Sequence, residues 1–424
     1  MIYYKRNIAD LIIERLSSER LIVLTGARQT GKTTLCEDII PKELKLSCSY
    51  FTFDDPDERL RFKSSAVSIL ENIDTALVVL DEVQKIPEIF DPIKYVVDRQ
   101  KKKPAEHKNR FILTGSSQLL LLKNIKETLA GRASLFNLYP LSLNEICGGS
   151  REQLLTTIWR QKKITPFVSN AAALINAESM RQFIQKREEH QKWGGYPEVW
   201  LRHGKAEKIN WLRDYRKTYM ERDIGDVGQV ADIDLFVLAQ KILCLRTAQI
   251  LSLSEIARDI ALSVNTIKRY VSLLTATFQC CLLQPYFENT SKRLIKSPKI
   301  YFTDPGLIRI IGGEDGIGHG AAYETWVFTE FLKWKQIQPV EPEMFFYRTS
   351  SGMEVDFILK GEGVLLPIEV KAADRVSAVD SRSIGAFMSE HKKAAPFGII
   401  VYRGKEAGEV NKNIWAIPDW LLFA

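Results

Sequence analysis

Residues 26–34 read GARQTGKTT and residues 77–82 read LVVLDE. The apolar run Leu21 to Thr25 before the first stretch has the character of a buried parallel strand. Gly26, then Ala27, Arg28, Gln29 and Thr30, then Gly31-Lys32-Thr33 match the spacing of a phosphate-binding loop. Glycines at both ends let the backbone curl until several N–H groups point at one anion. Lys32 supplies a mobile cation for the β- and γ-phosphates, and Thr33 a hydroxyl for Mg²⁺. Thr34 then starts a helix whose positive end faces the phosphates. The expected ligand is ATP with Mg²⁺.

The second stretch is an apolar strand ending in Asp81-Glu82. Acids at the C-terminal edge of a strand lie beside a phosphate loop in a doubly wound sheet. Asp81 is expected to hold Mg²⁺ through water, and Glu82 to orient or deprotonate the attacking water. A third run, Phe111 to Thr114, ends in Gly115-Ser116-Ser117. Ser116 reads either as a sensor of the γ-phosphate or as a helix cap. Arg132, after Gly131, is a candidate for the transferring charge, in cis or from a neighbouring subunit, and Arg28 is a second candidate.

The succession GARQTGKTT, YFTFDDPDER, LVVLDEVQKIP, FILTGSSQLLL and LAGRASLFNLYPLSLNEI, followed by GGYPEVWL (194–201) and YMERDI (219–224), resembles a large prokaryotic group of AAA+ ATPases. The resemblance covers nearly the whole chain. It implies an α/β protein with an AAA+ P-loop parallel sheet domain, a helical and winged-helix middle, and a C-terminal α/β domain similar to restriction endonucleases. It assigns nucleotide roles to Lys32, Thr33, Asp81, Glu82 and Arg132. The expected partition is 1–148 for the ATPase core, 149–240 for a helical lid with a polar insertion, 241–310 for a winged helix-turn-helix, and 311–424 for the nuclease-like domain. The Lys- and Gln-rich stretch 151–190 is the part that carries none of the motifs.

At 424 residues, two or three domains are expected. No apolar run approaches the roughly 20 residues of a membrane span, and the N-terminus lacks the apolar core of a signal peptide. The six cysteines have no CxxC spacing and read as reduced thiols of a cytoplasmic protein. The five histidines form no zinc pattern. The net charge of +7 is uneven: residues 241–310 carry 10 Lys and Arg against 4 Asp and Glu, whereas 311–424 carry 12 against 16. A local basic excess is the footprint of a nucleic-acid partner.

Within that basic segment, Leu253 to Ile260 and Val264 to Leu274 read as two helices around the turn Ala261-Leu262-Ser263. Ile256, Ile260, Val264, Ile267, Val271 and Leu274 fall at core spacing, as in a helix-turn-helix. The second helix would present Asn265, Thr266, Lys268 and Arg269 to DNA. Phe278 to Tyr286 and Lys299 to Phe302 read as strands of a wing, with Ser291, Lys292, Arg293 and Lys296 at its basic tip. The other reading of this segment is packing or partner contact without DNA.

The last hundred residues hold a second constellation. Tyr323-Glu324 opens a helix running to Lys335, and Val355 to Leu359 and Leu365 to Val370 are strands. Alternation places Val355 and Phe357 on one side, and Glu354, Asp356 and Ile358 on the other. In the next strand Glu369 and Lys371 share a face. If the polar faces coincide, Asp356, Glu369 and Lys371 meet, with Glu324 reaching in from the helix. Carboxylates so placed suit a second Mg²⁺ or Mn²⁺, and Lys371 suits positioning of water or stabilisation of phosphoryl charge. The spacing resembles the PD-(D/E)XK pattern, with Val355 where a proline usually stands. The other reading is a retained fold with a Glu369–Lys371 ion pair and no catalysis. The expected function is an ATPase coupled to DNA, with metal-dependent cleavage at this second site; the alternative is an ATP switch that recruits partners. Homo-oligomers are expected if the arginine acts in trans.

Overall fold

The computed structural model describes residues 3–102, 109–115, 128–174, 176–227, 230, 232–287, 297–313 and 316–423, with the backbone alone for 172–174 and 219–227. The chain forms two compact units. One comprises Lys5–Pro140 with Ala276–Phe278, and the other comprises Leu141–Thr275 and Gln279–Ala424 with the first residues.

The first unit is built on a 5-stranded sheet. Its strands are β1 (Leu21–Thr25), β2 (Cys48–Thr52), β3 (Leu77–Asp81), β4 (Arg110–Gly115) and β5 (Ser134–Asn137). Their order is β2-β3-β4-β1-β5, and every neighbouring pair is parallel. All residues of β1 and β3 are buried, as an unbroken apolar run requires in a sheet covered on both faces. Helix Asn7–Ser18 buries Ile8, Leu11, Ile12 and Leu16, a stripe at helical spacing. On one face, Val23, Val78, Leu80, Phe111 and Leu113 pack with Phe53, Phe62, Ile93 and Val97.

The second unit contains two sheets. The smaller joins β6 (Gln249–Ile250), β7 (Cys280–Leu283) and β8 (Lys299–Phe302) in the order β6-β8-β7. It accompanies helices Leu253–Asp259 and Val264–Ala276, the two expected from the sequence. Ile256, Ile260, Ile267, Val271 and Leu274 are core residues, but Val264 is 45% exposed and Tyr270 is buried at 2%. The left-handed Ala261 (φ 54°) separates the helices, so a spacing counted from Ile260 does not carry through to the second one.

The larger sheet contains β9 (Glu343–Arg348), β10 (Glu354–Gly361), β11 (Val364–Lys371), β12 (Gly398–Tyr402), β13 (Gly408–Asn411) and β14 (Ile414–Pro418), in the order β13-β14-β12-β11-β10-β9. β9, β10 and β11 pair antiparallel, whereas β11, β12 and β14 are parallel. The α/β class is therefore as expected: a parallel P-loop sheet and a separate mixed sheet. Strict alternation along β10 fails at one place. A register shift between Val355 and Ile358 puts these two residues in the same core cluster, so Ile358 does not share the face of Asp356. Phe357 packs instead among Tyr301, Phe328 and Phe331.

The stretch 151–190, read as a polar insertion, is helical. Helices Leu154–Gln161, Phe167–Leu174 and Ala177–Trp193 account for most of it. Its few large or charged anchors meet residues far along the chain. Trp159 packs edge-on against Trp334, Arg187 pairs with the buried Asp419 at 3.0 Å, and the His190 ring accepts from Trp326 at 3.1 Å. Burial holds His190 well below its usual range, so it is a neutral core histidine. The GGYPEVWL motif is also architectural. A side chain at Gly194 or Gly195 would overlap Asp304 or the Leu141 carbonyl, and Gly195 N–H donates to Asp304 at 2.8 Å. The side chains of YMERDI lie outside the described residues. Among the described residues, no helix is long and apolar enough to cross a membrane, and all six cysteines are free thiols.

Gly26 shows how tightly the sheet edge is drawn. A Cβ there would overlap the carbonyl oxygen of Leu138, whose own N–H donates to Thr25 at 2.7 Å. Gly26→Ala is expected to destabilise the first unit by about 1–3 kcal/mol, the usual cost of overpacking. Chemical denaturation read by fluorescence measures it, and an unchanged midpoint would refute the steric assignment.

Candidate functional site

The loop GARQTGKTT joins β1 to the helical turn Lys32–Thr34. Gln29 (φ 62°) and Gly31 (φ 91°) are left-handed, the alternation that turns successive N–H groups into one concavity. Lys32 is only 7% exposed. Its ammonium donates to the carbonyls of Gly26 at 2.8 Å and Ala27 at 2.9 Å, which holds it across the mouth of its own loop. Thr30 is fully buried and its hydroxyl donates to Ala27 O at 2.9 Å, tying the crown of the loop together.

β4 lies between β3 and β1, so the end of β4 sits between the acids and the loop. There the Thr114 hydroxyl donates to Asp81 Oδ1. The Tyr50 hydroxyl, from β2, donates to Asp81 Oδ2. Burial and then the Asp81 carboxylate push the Tyr50 phenol far above its usual range, so it remains a donor. Tyr50 and Thr114 thus hold the two oxygens of Asp81, a residue expected to face Mg²⁺. Glu82 adopts a left-handed conformation (φ 55°) and accepts from Gln84. Strained backbone of this kind concentrates at functional sites. Ser116 lies outside the described residues; Thr114 is the polar end of β4 that touches Asp81.

Arg132 stands elsewhere. It precedes β5, whose Ser134 pairs with Ile22 near the start of β1, so it occupies the N-terminal edge of the sheet. The length of β1, roughly 16 Å at strand rise, separates it from its own loop. Its guanidinium forms a two-pronged pair with Asp98 at 2.7 and 3.0 Å, which holds the Asp98 carboxyl below its usual range. This placement argues against action on its own nucleotide.

Arg6 was missed in the sequence, because a lone arginine twenty residues before the loop carries no motif. It is 6% exposed and donates to Thr30 O at 2.7 Å and Tyr139 O at 2.6 Å. One guanidinium therefore braces the phosphate loop against the chain leaving β5.

The second unit brings the C-terminal residues together. Phe357 pairs with Ile368, which sets Asp356 opposite Glu369. Asp356 Oδ2 accepts the Val370 N–H at 2.8 Å, and Lys371 donates to Glu369 Oε1 at 2.8 Å. Glu324, from helix His319–Gln336, faces the same cluster. Burial, then Glu324 and Glu369, drive the Asp356 carboxyl well above its usual range. Burial raises Glu369 against the pull of Lys371. Glu369 Oε2 is buried without a hydrogen-bond partner among the described residues, an orphaned acceptor that fits a cation ligand.

Two members of this site come from β8 and were not foreseen. Lys299 donates to Glu324 Oε1 at 3.1 Å and pairs with Glu354 at 2.5 Å; the Tyr301 hydroxyl donates to Glu324 Oε1 at 2.5 Å. From the sequence, Glu324, Asp356 and Glu369 are expected to converge at metal-ligand spacing. Among the described residues no such group of three is formed, and Glu324 Oε1 accepts from Lys299 and Tyr301.

On the helix-turn-helix segment, Asn265, Lys268 and Arg269 are exposed and Thr266 is half-buried beside the capping Ser263. The expected basic tip, Ser291 to Lys296, lies outside the described residues.

Comparison with known proteins agrees with the first unit. Residues 18–147 match the family model described as AAA domain. Residues 184–315 and 319–422 match two models described as domains of unknown function, DUF8612 and DUF4143. An uncharacterized protein of Mycobacterium tuberculosis is 26% identical over 99% of this chain and 84% of its own length. One from Haemophilus influenzae is 21% identical over 99% of this chain and 98% of its own. Among solved structures, a Holliday junction branch migration motor from Thermotoga maritima aligns with TM-score 0.29 and 18% identity over 68% of this chain and 92% of its own. A replication initiator bound to AMPPCP and single-stranded DNA aligns with TM-score 0.27 and 16% identity over 63% of this chain and 86% of its own. The match over residues 18–147, with the loop and the Asp81 cluster above, identifies an AAA+ ATPase domain.

Arg6→Ala leaves one loop carbonyl, Thr30 O, and the Tyr139 carbonyl beyond β5 without their charged donor. Loss of a hydrogen bond to a charged group costs about 1.5–3 kcal/mol. ATP affinity should fall about tenfold in titrations with a fluorescent analogue, with Mg²⁺ present throughout. Unaltered affinity would reduce Arg6 to a fold residue.

Proposed function

We propose that the chain couples ATP hydrolysis by its AAA+ domain to DNA, held by residues 241–310, and to a metal-dependent nuclease-like site in the second unit. The observation that carries the ATPase chemistry is Asp81 held by Tyr50 and Thr114, with Lys32 drawn into the phosphate loop after β1 and Glu82 next in sequence. Gly26 to Thr34 cradle the phosphates, Arg28 included. Thr33 and Asp81 would hold Mg²⁺. Glu82 aligns the attacking water, and Lys32 leaves the Gly26 and Ala27 carbonyls for the phosphate oxygens. Mg²⁺ supplies charge neutralisation on the phosphates when bound. Arg132 serves a neighbouring subunit's nucleotide, since it stands at the opposite sheet edge from its own loop, and this makes a homo-oligomer the working form.

DNA contact rests on the exposed Asn265, Lys268 and Arg269 of the second helix and on the basic excess around it. Cleavage rests on Asp356, Glu369 and Lys371 meeting at one place, with Glu369 Oε2 unpartnered. There a divalent cation would supply Lewis-acid polarisation of a phosphodiester. Asp356, Glu369 and Glu324 would hold it, and Lys371 would steady the water or the phosphoryl charge. A second reading, an ATP switch whose nuclease-like part is structural and recruits partners, is favoured by the Lys299 ion pairs, which already balance part of the acidic charge.

Lys32→Ala should abolish nucleotide binding, whereas Glu82→Gln should bind ATP and lose at least a hundredfold in turnover. Hydrolysis that survives Lys32→Ala at the wild-type rate contradicts the loop assignment. With Mn²⁺ and DNA at low salt, wild type should cut, Asp356→Ala and Lys371→Ala should bind without cutting, and Lys268→Ala/Arg269→Ala should bind weakly with a shallower salt dependence. Binding without cutting by every form, wild type included, selects the recruiting reading.

A further inference from the structure

The acidic site contains a cation of its own. Lys299 reaches it from β8, a strand of the smaller sheet, whereas the acids come from helix His319–Gln336 and from β10 and β11. Its side chain is 3% exposed, and the ammonium lies between Glu324 at 3.1 Å and Glu354 at 2.5 Å. The Phe346 ring, 5.6 Å away, adds an aromatic face. Glu354 is steadied in turn by Arg348 at 3.3 Å. A lysine is seldom buried this far unless paired, and burial alone would lower its proton affinity. Here Glu324, Asp356 and Glu354 reverse that, so the group stays charged.

We propose that Lys299 is an internal counter-ion of the acidic site that competes with a divalent cation for Glu324, so that metal binds fully only when this ammonium is withdrawn. The inference rests on the reading of Glu324, Asp356 and Glu369 as a metal site. Two observations support competition over simple bracing. Glu324 Oε1 is taken by both Lys299 and Tyr301, while Glu369 Oε2 remains unpartnered. A divalent cation held by the same acids would also repel the ammonium at close range in a site where water screens little. Lys371 is a different case. Burial would lower it too, but Glu369, to which it donates at 2.8 Å, and Asp356 hold it charged.

The test is Mn²⁺ binding to the full chain without nucleotide, followed by loss of the free-ion electron paramagnetic resonance signal. Only the part abolished by Asp356→Asn is counted. Lys299→Met should bind Mn²⁺ at least tenfold more tightly than wild type, and Lys299→Arg, which keeps the charge, should match wild type. If Lys299→Met fails to fold with its two acids unpaired, Lys299→Met/Glu354→Gln removes one of them and should show the same gain. Equal or weaker binding in a folded methionine variant overturns the competition while leaving the metal site intact. Mn²⁺ uptake that is insensitive to Asp356 in every variant overturns the metal reading, and this inference with it.

Discussion

Parallel pairing is the constraint on which the phosphate site depends. Strands that run the same way deliver their C-terminal ends to one edge, so polar residues there are collected without being neighbours in sequence. In the first unit, β1 ends in the phosphate loop, β3 in Asp81 and β4 in Thr114-Gly115, and the order β3-β4-β1 sets the threonine between the acid and the loop. The apolar runs behind these ends are buried on both faces. The chemistry is therefore held at a rigid rim, where Tyr50 and Thr114 both donate to Asp81.

The second unit meets a different demand. An antiparallel hairpin sets Asp356 opposite Glu369, and a helix adds Glu324, so acids gather where water is scarce. Buried carboxylates must be protonated, paired or bound to a cation. Lys371 pairs one oxygen of Glu369, Lys299 pairs Glu324 and Glu354, and Glu369 Oε2 is left over. The two lysines lie on different elements, β11 and β8, so a shift of either element would change the charge of the site.

Much of this was legible in the residues. The loop, the acids after β3 and the two helices around Ala261 are local patterns, and local patterns carry their own geometry. The face of Glu369 and Lys371 followed from alternation because β11 pairs regularly with its neighbours. Along β10 the same rule failed at Ile358, since an added residue in one strand reverses every later side chain. The helices of 151–190 were hidden for another reason. Their apolar anchors are sparse, and Trp159, Arg187 and His190 gain meaning only from Trp334, Asp419 and Trp326, over a hundred positions away.

The sequence by itself determined the phosphate loop with its acids, the α/β class, and the residue types able to hold a second cation, because each depends on spacing within a strand or turn. Only the tertiary structure decided that Arg6 braces the loop, that Tyr50 and Thr114 orient Asp81, that Arg132 stands at the opposite edge from its own loop, and that Lys299 enters the acidic site. These are single side chains with no motif around them. Their partners are chosen by burial, which obliges each buried charge to find an opposite charge or a carbonyl wherever the fold brings one near.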